Sequence, residues 1–243
     1  MEASALLLAA IFIIAVLYAS VGHAGASGYI AVMALAGLAP EAIKPTALVL
    51  NILVSVIATW HFYRAGHFRW RILWPFALLS VPFAFVGGAL KLPGEVFRPL
   101  VGMVLLFSAM RLLWRQSAPD ATTRLPPIVP SIGIGAGLGL LSGLTGVGGG
   151  IFLSPLLLFM RWAQAKETAA ASALFILLNS SAGLLGHWSS TQMIPAEWPW
   201  FALMAIAGGS LGAYLGAVYL PVRWIKVALA AVLAVAGVKL VLV

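Results

Sequence analysis

The chain has 243 residues, of which 63% are hydrophobic and 8% charged, with a net charge of +8 and no cysteine. So apolar a chain leaves room for almost no soluble domain, and its continuous apolar runs, not alternating every second residue, argue against a β-barrel. Disulfides, thiolate catalysis and cysteine-ligated metals are excluded outright, and the positive charge is expected in cytoplasmic loops rather than at a nucleic-acid surface.

Residues 4–20 form the first apolar run. A signal peptide would carry positive charge at its start, and Met1-Glu2 does not, so this run is read as a first membrane segment. Residues 21–27 break it with glycines, and the short run 28–38 is about half a bilayer long at roughly 1.5 Å per residue. Full spans are predicted over 45–63, 72–90 and 96–114, separated by a basic loop at 64–71 and a turn at 91–94. Residues 115–127 are the hydrophilic linker, expected in the cytoplasm. The pattern then returns: an apolar run 128–142, a break at 143–150, a short run 151–162, and spans over 166–188, 198–220 and 224–243. Each glycine in such a run costs about 1 kcal/mol relative to alanine if it is helical. Gly143, Gly146, Gly148, Gly149 and Gly150 therefore mark a broken helix rather than a lipid-facing one.

The two halves align at an offset of about 126–128 residues. Glu41 falls on Glu167, Thr46 on Ser172, Ser55 on Ser181, His61 on His187, Trp70 on Trp198, Leu92-Pro93 on Leu220-Pro221 and Arg111 on Lys239. Ser80, Ala84 and Gly88 fall on Gly208, Gly212 and Gly216, a stripe of small residues read as close helix packing. The expected fold is an all-α polytopic membrane protein of two repeats, 1–114 and 128–243. Each has a glycine-broken re-entrant or half-helix hairpin and three full spans, giving roughly eight to ten segments.

Charge decides their relative orientation. With inverted repeats, Arg64, Arg69, Arg71, Arg111, Arg115, Arg124, Arg161, Lys166, Arg223 and Lys226 share one side, and Lys44, Lys91, Arg98 and Lys239 the other. Parallel repeats would put the basic loop 64–71 on the same side as 189–197, which has no basic residue. The positive-inside rule favours inversion, with both termini outside the cytoplasm. The nine tryptophans fall at or near segment ends, as an aromatic belt requires.

The short runs begin at glycine breaks, where unpaired N-terminal amides and the positive end of the helix dipole are bare. Two such ends make an anion site without a buried lysine. Gly22, Gly25, Ala26 and Gly28 in the first break, and Gly146, Gly148, Gly149 and Gly150 in the second, supply backbone. Ser27, Ser142 and Thr145 add hydroxyls. Asn51 and Asn179 are mid-span amides that either coordinate the anion or bridge helices; Thr46 and Ser172 either line its path or bond back to their own helix. His23 in the first break is a donor or a proton carrier. His61 and His187 are further proton-coupling candidates, although interface anchoring suits their positions better. His67 is read as solvated, and Arg64, Arg69 and Arg71 as topology-setting. No buried carboxylate is evident in a span, so sodium coupling through one is not expected, although backbone carbonyls could still bind a cation. Neither break has the lysine and Ser/Thr of a phosphate-binding loop, and no cofactor or metal pattern is read.

The stretch GVGGGIFLSPLLL at 146–158 resembles the signature of the TauE/SafE family of sulfite and sulfonate exporters. So do TAAASALFILLNSSAGLLGHW at 168–188 and APEAIKPTALVLNILVSVIATWHFYRAGHFRW at 39–70. The first break departs from it, with Ala26-Ser27-Gly28 where a triple glycine is typical. The resemblance implies export of a sulfur-containing anion such as sulfite or sulfoacetate, with import of such an anion or of another small organic anion as the alternative. The reading is a secondary transporter of the bacterial inner membrane working by alternating access, not an enzyme. Its expected partners are the anion, the bilayer, a coupling proton and a second copy of the chain, with no nucleic acid. A small-anion channel, an intramembrane enzyme and a scaffold subunit are the competing readings.

Overall fold

The computed structural model describes residues 2–20, 22–90, 93–113, 123–190 and 197–218, with isolated positions between 234 and 241. The regular structure among the described residues is all helical, without a strand: α1 (Glu2–Ala19), α2 (Ala26–Leu35), α3 (Pro40–Arg64), α4 (Trp70–Ala89), α5 (Gly94–Leu113), α6 (Ile128–Thr145), α7 (Gly150–Phe159), α8 (Ala165–Ser190) and α9 (Trp198–Val218). Among the described residues, four helices are long and apolar enough to cross a membrane: Glu41–Arg64, Trp70–Ala89, Ile128–Thr145 and Lys166–Trp188. Most of the 115–127 linker, the 191–196 loop and most of the last predicted span lie outside the described residues.

Helix boundaries differ from the sequence reading in instructive ways. α3 starts at Pro40, not Pro45, because Pro40 takes the opening position where a missing N–H costs nothing. α6 runs on to Thr145, so Gly143 lies inside it rather than in the break. The reason is packing. A side chain on Gly143 would run into the Ala84 carbonyl of α4, and one on Gly139 into that of Ser80. Gly135 meets the Phe76 carbonyl in the same way, so α4 and α6 lie parallel at backbone contact. Gly208 and Gly212 of α9 approach the carbonyls of Phe12 and Val16 of α1, again parallel. The packing role read for Gly208 and Gly212 is what the structure displays. The surroundings of Gly216 lie outside the description.

α3 and α8 cross in the opposite sense. Leu48 lies beside Gly183, Asn51 bonds Ser180, and Phe62 and Ala169 both flank Gly22. α5 likewise runs antiparallel to the described residues Gly237 and Val241, which meet Gly102, with Leu106 over Gly237. Thus α1 packs on α9, α4 on α6 and α3 on α8, so the halves interlock. Arg124 N–H, just before α6, donates to Arg161 O, just after α7, at 2.9 Å. The α6–α7 hairpin therefore enters and returns at the same end.

Two apolar cores result. One is built on Ile11, Tyr29, Leu50, Val54, Leu105 and Ala205, from α1, α2, α3, α5 and α9. The other is built on Ile72, Phe76, Leu153 and Phe175, from α4, α7 and α8, with Ile134 and Leu138 of α6 against it. Exposed tryptophans mark both ends of the bundle: Trp60 and Trp70 at one, Trp188, Trp198 and Trp200 at the other.

Candidate functional site

The first break follows α1, whose last turns close through Gly22 N–H to Ala19 O and His23 N–H to Tyr18 O. Gly22 (φ 77°) and Gly25 (φ 94°) are left-handed, a region that L side chains enter at a cost of about 1–2 kcal/mol. α2 makes its first internal bond from Tyr29 N–H to Gly25 O at 2.9 Å, so the amides of Ala26, Ser27 and Gly28 precede its ladder. The second break is tighter. Gly146 N–H closes α6 on Ser142 O at 2.8 Å, and Gly146, Gly148 and Gly149 have φ of 79°, 80° and 78°. α7 opens with Phe152 N–H and Leu153 N–H on Gly149 O, leaving the amides of Gly150 and Ile151 ahead of the ladder. Space enforces glycine as much as φ does. A Cβ on Gly148 would lie 2.6 Å from Asn51 Nδ2 and 2.9 Å from Ser180 Oγ, and one on Gly149 2.9 Å from the Phe175 ring.

The two breaks sit toward opposite ends of the α3–α8 crossing. Gly22 lies between Phe62 and Ala169, while Gly146 lies against Lys44. A polar chain spans from the first to the neighbourhood of the second. His23 Nε2 is 3.0 Å from Ser154 Oγ on α7, and Ser154 Oγ is 2.7 Å from Ser172 Oγ on α8. Asn51 Nδ2 donates to Val147 O (3.3 Å) and Ser180 Oγ (3.2 Å), tying α3 to the second break and to α8. Ser27 shares a 2.8 Å hydrogen bond with the Tyr18 hydroxyl. Ser142, Asn51 and Asn179 are all fully buried, and Ser142 Oγ has no protein partner; its Cβ is 3.4 Å from the Cβ position of Gly149.

Other candidates are placed apart from this chain or spend their groups locally. The Thr46 hydroxyl donates to Ala42 O at 2.6 Å and that of Thr145 to Leu141 O at 2.7 Å, both within their own helices. Thr145 Oγ1 also accepts from Val147 N–H at 3.4 Å, which helps turn the chain into the break. Asn179 Nδ2 donates to Phe175 O on its own helix. His61 is exposed and His187 buried near the C-terminal ends of α3 and α8. Arg69 Nε pairs with Glu167 Oε1 at 2.7 Å, and Glu167 Oε2 accepts from Gln164 N–H, capping α8.

Sequence reasoning missed several groups. Ser154 lies one turn beyond Gly150, on the face that the break presents; that spacing could have found it. Ser180 directly follows Asn179. Tyr29 is fully buried with its hydroxyl 3.0 Å from the Cβ position of Gly25. Lys44, 6% exposed, donates to Gly87 O and Gly88 O (3.1 Å each) and Leu90 O (3.4 Å), closing the C-terminus of α4 where a cation is favoured. No local signal distinguishes it from a loop lysine.

Interlocked apolar helices interrupted by two glycine breaks beside buried polar side chains define a multi-pass membrane protein of the transporter type. The family described as sulfite exporter TauE/SafE matches residues 7–240, and the chain belongs to it. It is 46% identical over 195 residues to the probable membrane transporter protein y4hK of Sinorhizobium fredii, covering 79% of each chain. It is 25% identical over 154 residues to the probable membrane transporter protein MJ0441 of Methanocaldococcus jannaschii, covering 61% of this chain and 57% of that one. No solved structure matches it. The family is one of membrane transporters, not of enzymes.

Proposed function

We propose that the chain is a secondary transporter that exports a small sulfur-containing anion, sulfite or an organosulfonate, across the bacterial inner membrane. The observation that carries this reading is the polar chain His23–Ser154–Ser172, which starts in one break and ends beside the helix that begins at the other. Around it, the bare amides at the starts of α2 and α7 offer donors and the positive ends of two helix dipoles. The family name supports a sulfur oxyanion as cargo.

Inverted repeats are supported by helix direction. Parallel repeats would carry α3 and α8 through the bilayer the same way, whereas they cross antiparallel. Alternating access then consists of one apolar core rocking against the other, with the α3–α8 crossing between them and both breaks at the hinge. His23 is the proton-coupling residue of this scheme, because an imidazole can carry a proton through the break while keeping its bond to Ser154.

Flux in proteoliposomes tests the reading. With sulfite, sulfoacetate, taurine, thiosulfate and chloride loaded in turn, saturable movement of a sulfur anion is expected, and Gly149→Val should abolish it. Unsaturated chloride flux with no sulfur-anion movement would replace the carrier by a channel.

A further inference from the structure

Asn51 and Asn179 hold mid-span positions on α3 and α8 and are fully buried. Each directs its amide nitrogen at a backbone carbonyl, Asn51 at Val147 O and Asn179 at Phe175 O. A carbonyl can only accept, so neither amide can be turned to face that partner with its oxygen. The orientation of both side chains is thereby fixed. Asn51 Oδ1 and Asn179 Oδ1 are left as buried acceptors that no protein donor meets. An acceptor in that position is held at a standing cost unless something supplies a proton to it.

Asn51 belongs to the second break, and Asn179 stands one helical turn along α8 from a residue that flanks it. Asn51 Nδ2 lies 2.6 Å from the Cβ position of Gly148. Asn179 follows Phe175 by one helical turn, and the Phe175 ring closes over Gly149. It also precedes Ser180, which accepts from Asn51. The other groups at the break include donors: the amides that open α7, and the unpartnered hydroxyl of Ser142, which can donate as well as accept. Donors thus stand at the break to which Asn51, with its orphan acceptor, is tied.

We infer that the anion bound here must itself carry a hydrogen-bond donor. Resting on the reading that the breaks hold a sulfur anion, the charged oxygens face the α7 amides and Ser142. An O–H or N–H on the same molecule meets Asn51 Oδ1 or Asn179 Oδ1. The cargo class is therefore hydrogensulfite, or a sulfonate bearing a hydroxyl or ammonium group, and not a fully deprotonated oxyanion. A ligand without a donor leaves both amide oxygens unmet and is rejected for that reason.

The test compares ethanesulfonate with 2-hydroxyethanesulfonate, equal in charge and differing by one hydroxyl. Apparent affinity is read from the ligand-induced rise in unfolding temperature of the full chain in nanodiscs. The hydroxylated anion should bind at least about tenfold more tightly. That preference should shrink to about twofold or less in Asn179→Ala and in Asn51→Ala. Asn179→Ala is the safer variant, because its amide bonds only within α8. Equal affinities in the native protein overturn the inference and leave the anion site standing. A preference that survives in both variants overturns the assignment to these two oxygens. An equal sodium requirement for both anions gives the oxygens to a cation and also overturns it. Binding of neither anion removes the sulfur-anion reading itself, and this inference with it.

Discussion

Among single residues, Ser154 occupies the most connected position in the polar chain, bonded at once to His23 and Ser172. Ser154→Ala leaves both partners short of a bond in a low-dielectric interior. We expect it to destabilise the protein by about 1–2 kcal/mol, seen as a lower unfolding midpoint, and to slow transport. A variant of His23 separates its structural bond from the proton coupling proposed for it. His23→Gln can still hydrogen-bond Ser154 but cannot carry a proton. It should keep anion binding while losing the acceleration that a pH gradient gives; unchanged gradient dependence would remove the coupling role. Thr46 and Ser172 share a repeat position, yet only Ser172 reaches across helices, since the Thr46 hydroxyl is turned onto Ala42 O. Sequence spacing gives the position of a hydroxyl along a helix but not which acceptor wins it. Lys44 teaches the same lesson in reverse: its role depends on the carbonyls of Gly87, Gly88 and Leu90, over forty residues away. Lys44→Met should uncover the end of α4 and cost about 1–3 kcal/mol, measurable by thermal unfolding in detergent.

At the level of elements, the broken hairpins and most spans were legible because membrane segments are announced by long apolar runs and their interruptions by glycine. What glycine does in each place was less legible. Gly149 serves a left-handed turn and Gly143 a close helix approach, and these two physical demands leave the same letter in the sequence. Only the packing of α4 on α6 tells them apart, and that packing joins residues from different halves. The distinction makes a paired prediction. Gly139→Leu would drive a side chain into the Ser80 carbonyl and should cost more than about 2 kcal/mol or prevent assembly. Gly133→Ala, on the same helix with nothing near its Cβ position, should be neutral or stabilise by up to about 1 kcal/mol. Expression and unfolding midpoints of the two variants check this. The candidate site was readable as two stretches of backbone, while its side chains were only half found. Tyr29, Ser154 and Ser180 are unremarkable letters in apolar runs until the fold brings them to the breaks.

At the scale of the whole molecule, the described residues of the two halves interlock, and each apolar core draws helices from both. In the alternating-access scheme proposed above, a substrate held between these cores would be released to either side by a small rotation of one against the other. The natural absence of cysteine makes this measurable, since every introduced thiol is the only one in the chain. The most direct measurement places Ser142→Cys beside the second break and probes it with a membrane-impermeant thiol reagent. The reagent is applied to intact cells and to inverted vesicles, with and without saturating anion. The account predicts modification from both sides, slowed by the transported anion on each. A thiol reached from one side only, with the anion making no difference, would contradict a central site served by alternating access.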